Sequence, residues 1–336
     1  MTAAKGVISA MSLMSPAGIG VEPFREAIRA ERPAQGGDVE DFHTERPEGS
    51  GRPVRLIDRP SAMVLATMGT LLGDDVLAGW APGRRGLVLG SGASGIDQSM
   101  TLTRDSLTRP RPDNVNPALV PACVMNYASA QAAITYDLQG PNATVTAGRA
   151  TGLAALRYAG LLLARDRADA VVCGAYEDLN ERRVAIAEAA GIKGTAAEGC
   201  CAFLVEPAER ARAGGRPVLA EILAVDSGVF TEPRDAADVL AAAVRRALDA
   251  AGTGPGDIGL IVPGGSEDAD LLGLAHARVV RPGTLIGDAF GAASAFQVAT
   301  AIVAGGGDLA LITTIDPDGH AACCLLRTAD RGAPEA

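Results

Sequence analysis

The chain has 336 residues, 48% hydrophobic and 21% charged, with 30 basic against 40 acidic side chains for a net charge of −10. That length suits about two globular domains of ~150 residues each and supplies enough apolar material for a large core. The acidic balance and an aromatic content of 3% argue against a nucleic-acid or anionic-membrane surface, which needs clustered positive charge and stacking platforms.

Gly6–Ser12 reads as a strand, Ser15–Gly20 as a turn and Val21–Ala30 as a short amphipathic helix. Val7–Gly20 is broken by Ser, Pro and Gly, so no export signal is expected there. Glu31–Pro53, which contains His43, reads as a loop rich in Pro, Gly and charge. Pro60–Gly79 reads as a helix and Gly86–Gly90 as a buried strand. The Pro-rich Thr101–Pro117 reads as a loop, and Pro121–Leu138 as a helix stopped by Gly140–Pro141. The uncharged run Ala289–Gly307 is mostly Ala and Gly and suits a buried helix better than a membrane span.

The rest of the chain contains an internal echo. Asn142–Ala147 reads as a strand, Thr151–Arg165 as an Ala/Leu-rich helix, and Asp169–Gly174 and Gly199–Glu206 as two further strands. The order returns with Gly283–Gly287, the helix Gly291–Ala304, and the strands Asp308–Thr314 and His320–Arg327. Helices that are apolar nearly all round belong between layers. The expected fold class is therefore layered α/β with two similar halves, residues 1–212 and 213–330, followed by a polar tail at 331–336.

Few residues offer chemistry. Cys200–Cys201 and Cys323–Cys324 are adjacent pairs and Cys123 and Cys173 are isolated, so none matches the spacing of a zinc framework; small buried side chains are expected. His276 sits in a helical-looking stretch beside Arg278 and has no ligand partner at helical spacing. Gly90–Gly95 matches G-x-G-x-x-G after a strand, but the Pro-rich segment follows where an acid-tipped strand should, so a plain turn is expected. Asp316, Asp318, Glu267, Asp268 and Asp270 read as solvated loop acids.

Leu119–Leu138, Gly140–Asn142 and Thr144–Gly152, followed by Asp169–Asp178, Glu198–Pro207 and Ile286–Ala295, resemble the β-ketoacyl synthase family in consistent order. Val7–Gly20 resembles that family's first strand and turn. The resemblance implies the thiolase fold, two similar halves in a five-layer αβαβα arrangement. It also exposes departures at every catalytic position. Arg149 stands where the family has its nucleophilic Cys, Gly264 at the first His, Gly283 at the Lys and Asp288 at the second His; Pro317 takes the place of the gating Phe. Decarboxylative condensation needs a thiolate to carry the acyl chain and donors to hold the enolate. A guanidinium cannot be acylated or act as a base, because it stays protonated below pH ~12.

The chain is thus similar to the degenerate partner subunit of type II polyketide synthases, the chain length factor or ketosynthase β, and to its divergent forms in highly reducing, polyene-making systems. The resemblance implies a cytoplasmic heterodimer with an active ketosynthase, served by an acyl carrier protein, without cofactor or metal. It implies that the strand Asn142, Ala143, Thr144, Val145, Thr146 and Ala147 pairs across the dimer axis. Met125, Asn126 and Tyr127 would bound the chain tunnel. A buried Arg149 needs an acid, and Asp288 or another carboxylate is the expected partner. The alternatives are a thiolase-fold acyltransferase or hydrolase using Cys123, Cys173 or Ser266 with His320 as base, and a homodimeric acyl-binding scaffold.

Overall fold

The computed structural model describes residues 6–34, 36–40, 42, 57–73, 76–192, 194–265 and 274–330. His43, Ser266, Glu267, Asp268, Asp270 and the tail at 331–336 lie outside them. The chain opens with strand β1 (Gly6–Ser15), hairpinned to the two-residue β2 (Gly18–Ile19), then helix α1 (Val21–Arg29). Helix α2 spans Arg59–Leu72, shorter than the expected Pro60–Gly79, because Gly73 takes a positive φ of 48° and closes its end. Strand β3 (Arg85–Gly90) follows.

Two expectations fail in the next stretch. Residues 96–108 form helix α3 (Ile96–Thr108), although Thr101–Pro117 suggests a loop. The prolines begin only at Pro110, and Thr103 and Thr108 turn their hydroxyls back onto the carbonyls of Ser99 and Arg104, so the polar residues stay helical. Pro121–Leu138 is not one helix. A 3₁₀ segment, Pro117–Cys123, ends before helix α4 (Tyr127–Thr135); Pro121 has no amide hydrogen to extend an α-helical ladder across the join.

Strand β4 (Asn142–Val145), helix α5 (Thr151–Ala164), strand β5 (Ala170–Glu177), helix α6 (Glu181–Ala189), strand β6 (Gly199–Glu206) and helix α7 (Ala208–Ala213) complete the first run. The second run comprises β7 (Ala220–Val229), α8 (Ala236–Ala251), β8 (Ile258–Pro263), β9 (Arg278–Val279), α9 (Gly283–Ile286), α10 (Ala293–Ala304), β10 (Leu309–Asp316) and β11 (His320–Thr328). His276 lies in a turn ahead of β9, not in a helix, so its neighbour Arg278 is a strand residue.

All the strands join one mixed sheet in the order β4-β3-β5-β6-β1-β7-β11-β10-β8-β9, with β2 beside β1. Read outward from the centre, each run has the same sequence and sense of pairing. The first strand is antiparallel to the last, the last antiparallel to the one before it, and the outer pairs are parallel. The internal echo in the sequence is this repeated topology, joined where β1 meets β7.

Side-chain alternation along the strands creates three apolar layers. Val171, Cys173, Cys201 and Phe203 of the first run share a central core with Ile222, Leu260, Ile312 and Cys324 of the second, and α1, α5 and α10 fill it. The opposite face of the first run, with Leu87, Val172 and Cys200, packs on α2 and α4. The opposite face of the second, with Ala224, Leu311 and Cys323, packs on α8. The order is therefore helix, sheet, helix, sheet, helix, the layered α/β arrangement of a thiolase-like fold. The adjacent cysteine pairs follow from the same geometry, since neighbouring residues in a strand point into different layers. All four are free and buried; burial pushes the Cys200 and Cys323 thiols up to about 12.

The small residues of α5 and α10 let the two helices touch. A Cβ on Gly152 would lie 2.4 Å from the backbone nitrogen of Ala295, so only glycine allows this approach. The Ser294 hydroxyl accepts a hydrogen bond from the Leu153 amide at 3.2 Å across the same contact. The beginnings of both helices are thereby brought to one place.

Candidate functional site

That place is formed by two turns. After β4 the chain reverses through Ala147–Ala150, with Gly148 at φ 54° and the Thr151 hydroxyl bonded within the turn to the Gly148 carbonyl and the Ala147 amide. Arg149 leaves this turn just ahead of α5. On the other side, Asp288 leads into the 3₁₀ turn before α10. Its amide donates to the Thr195 carbonyl at 2.8 Å, and its own carbonyl accepts from the Ala197 amide and the Arg183 guanidinium.

Arg149 and Asp288 meet here. Arg149 Nη2 donates to Asp288 Oδ2 at 2.5 Å, and Asp288 Oδ1 accepts from the Phe290 amide at 2.9 Å. A second acid completes the group. Asp316, only 2% exposed, accepts the Arg149 backbone amide at 2.7 Å and lies 3.8 Å from Arg149 Nη1. The guanidinium carbon sits 5.9 Å from the centre of the Phe290 ring. Phe290 itself has a φ of 44°, a strained value for an aromatic residue, held by its amide bond to Asp288 and by the next amide, Gly291, on Glu177.

Asp316 corrects the reading of that residue as a solvated loop acid. It ends a buried strand, and its Oδ1 accepts from the Asp318 amide at 2.9 Å, tightening the hairpin to β11. Asp318 does remain exposed. Pro317 stands exposed at the tip of the same hairpin.

A cavity of about 450 Å³ opens on the ion pair. Arg149, Gly264, Gly283 and Asp288 all line it, with Phe296, Ile286, Leu285 and Pro33 as apolar walls. Gly264 follows β8, its amide bonded to the Thr313 carbonyl, and Gly283 begins α9. Among the described residues no Cys, His or Lys lines the cavity, and no group of acids, cysteines and histidines is arranged to hold a metal.

The other candidates fall elsewhere. Met125 is 37% exposed, Asn126 precedes α4 and Tyr127 begins it; the Tyr176 hydroxyl donates to the Met125 carbonyl at 3.3 Å. None of the three lines the cavity. Strand β4 is the outer edge of the sheet; Thr146 lies past its end and Ala147 in the turn. Cys173 is fully buried and its thiol is raised by that burial, while Cys123 Sγ donates to the Leu119 carbonyl. His320 starts β11 opposite Asp316, and no hydrogen bond joins it to either cysteine among the described residues.

The glycine-rich loop after β3 does cradle an anion, and the anion belongs to the chain. The Glu177 carboxylate accepts from the Ser91 hydroxyl, the Gly92 and Ala93 amides and the Gly291 amide at 2.8–3.1 Å. The Gly92 and Ala93 amides are therefore already taken and not vacant for a cofactor phosphate. Glu177, Asp316 and Arg183 were not legible as site residues. Each is a single polar residue ending or flanking an apolar run, and only the fold shows what it touches.

Residues 24–211 match the model of the β-ketoacyl synthase N-terminal domain, more than half of the chain, and the chain belongs to the β-ketoacyl synthase family. Among solved structures, the ishigamide ketosynthase/chain length factor is 30% identical with a TM-score of 0.83, covering 97% of this chain and 99% of that one. A type II polyketide synthase acyl carrier protein complex with its ketosynthase matches at 18% identity and a TM-score of 0.81, over 97% of this chain and 99% of that one. That likeness shows the fold alone. The 3-oxoacyl-[acyl-carrier-protein] synthase 2 of Coxiella burnetii is 33% identical over 94 residues, 28% of this chain and 22% of that protein. The Staphylococcus aureus protein of the same name is 26% identical over 199 residues, 52% of this chain and 49% of that protein. The chain thus matches at most about half the length of these curated relatives. Among the described residues, no helix is long and apolar enough to cross a membrane.

Proposed function

We propose that this chain is a non-condensing, ketosynthase-like subunit that pairs with an active ketosynthase in the cytoplasm and helps bound the tunnel for a growing polyketide chain. The observation that carries this reading is the cavity lined together by Arg149, Gly264, Gly283 and Asp288, which we take as the family's catalytic positions. Its wall holds a guanidinium–carboxylate pair and, among the described residues, no thiol to carry an acyl chain. The full-length likeness to the ishigamide ketosynthase/chain length factor supports the same role.

Pairing would use the edge of β4. Its inner side is bonded to β3, with the Pro141 and Val145 carbonyls accepting from the Leu87 and Ser91 amides. The intervening Thr144 therefore turns its amide and carbonyl outward, a ready edge for a partner strand. Val120, Val124 and Met125 are exposed apolar residues in the segment leading to α4, which itself packs on β4. In this reading Met125, Asn126 and Tyr127 end the tunnel, and an acyl carrier protein reaches the complex through the active subunit.

Co-expression with an intact type II ketosynthase and its carrier protein tests the proposal. Condensation is expected from the pair and not from this chain alone, and intact-mass measurement should find acyl adducts on the ketosynthase only. An acyl adduct on this chain, or extension of a malonyl-derived chain by it unaided, would overturn the reading. Within the active pair, Met125→Ala or Tyr127→Ala should change product length.

A further inference from the structure

The cavity beside Arg149 survives although the family's reactive groups are gone, and its walls are chemically selective. At about 450 Å³ it falls within the range of small-molecule sites, roughly 300–1,000 Å³. Two guanidinium side chains, Arg149 and Arg281, line it, and the one beside Asp288 is already engaged: Asp288 takes Arg149 Nη2, Asp316 lies beside Nη1, and the Phe290 ring flanks the group. A carboxylate approaching Arg149 would have to displace Asp288 or lie against it, and two like charges in contact repel. Gln297, 1% exposed, lines the same cavity. Its amide nitrogen is committed to the Val262 and Thr313 carbonyls at 2.7 Å, which fixes Oε1 as an acceptor, and Oε1 has no partner among the described residues. Leu285, Ile286, Phe296 and Pro33 supply apolar walls.

We propose that this cavity binds a small uncharged molecule with an apolar body and an N–H or O–H donor at its head, and that Asp288 is the specificity residue that keeps carboxylates out. The inference concerns this chain's cavity only and is independent of its pairing with a ketosynthase.

Butyramide and butyrate, nearly isosteric and differing in charge and donors, are the probes. Saturation-transfer NMR on the purified full chain at neutral pH should detect butyramide, with butyrate weaker by about tenfold or more. Asp288→Asn keeps an acceptor for the Phe290 amide and frees the Arg149 guanidinium, so it should reverse the order in favour of butyrate. Arg281 also lines the cavity and is unchanged throughout, so the reversal isolates Asp288. If Asp288→Asn fails to fold, Arg149→Gln should retain butyramide and weaken butyrate further. Equal binding of the two probes to the wild-type chain, absence of butyramide binding, or an unchanged preference in a folded Asp288→Asn variant would overturn the proposal.

Discussion

Arg149 sits at the beginning of α5, where the helix dipole disfavours a cation, whereas Asp288 at the approach to α10 is favoured by it. Arg149 is tolerated because two carboxylates and its own backbone contact offset that penalty. Its side chain is 16% exposed and Asp288 26%, so neither is fully solvated. Arg149→Met should destabilise the chain by about 2 kcal/mol, less than for a wholly buried pair, because Asp316 and Asp288 lose their shared cation. A double-mutant cycle with Asp288→Asn in urea should show positive coupling between the two sites. Gly148 is stricter. Its φ of 54° and a Cβ position 2.1 Å from Asp316 Oδ2 leave no room for a side chain, so Gly148→Ala should cost more than about 2 kcal/mol. The positions of Arg149 and Asp288 were legible because motifs on both sides carry the register. Asp316 was not, because Asp-Pro-Asp-Gly has the composition of an exposed turn whether or not its first acid points inward.

At the scale of elements, Glu177 joins the end of β5 to the loop after β3 and to the approach of α10. Burial lifts its carboxyl above the ordinary value, against the pull of the nearby Arg183 charge and these hydrogen bonds. A carboxyl raised on folding binds more protons in the folded state, so its contribution to stability falls as pH rises from its unfolded pKa toward its folded one. Glu177→Gln would face the Gly92 or Ala93 amides with a donor and should destabilise by about 1–3 kcal/mol. The deficit of this variant against wild type should shrink as pH rises above the ordinary carboxylate range, measured by urea midpoints; a deficit that grows with pH there would contradict the sign. Strand β4 offers a second test. Thr144→Pro removes an outward amide while leaving the Val145 and Pro141 bonds to β3, so the chain should fold but fail to co-purify with a ketosynthase. Strongly apolar elements such as β6 were legible almost to the residue. The amphipathic α3 was hidden by its hydroxyls, and β7 and α8 carry no motif that marks them.

Over the whole molecule, the two runs of strands are neither separate cores nor loosely tethered. Residues of both line the central layer around α5 and α10, so calorimetry should show a single cooperative unfolding transition. A polar fastening spans the same join. Glu206, at the end of β6, has a fully buried side chain that accepts from Ser9 Oγ on β1 and from Arg216 Nε and Nη2 at 2.7 Å each. Arg216 lies in the segment leading into β7, and its guanidinium stacks 4.5 Å from the centre of the Trp80 ring. This residue therefore ties the start of the second run to the last strand and outer layer of the first. Arg216→Met keeps the contact with Trp80 but leaves Glu206 buried without its cation, and should cost about 3 kcal/mol. Arg216→Lys should recover only part of that loss, because a single ammonium cannot reproduce the two parallel hydrogen bonds. Since the shared core is untouched, both variants should lower the melting temperature without splitting the transition. Two resolved transitions in Arg216→Met would mean that the fastening, rather than the common core, unites the two runs.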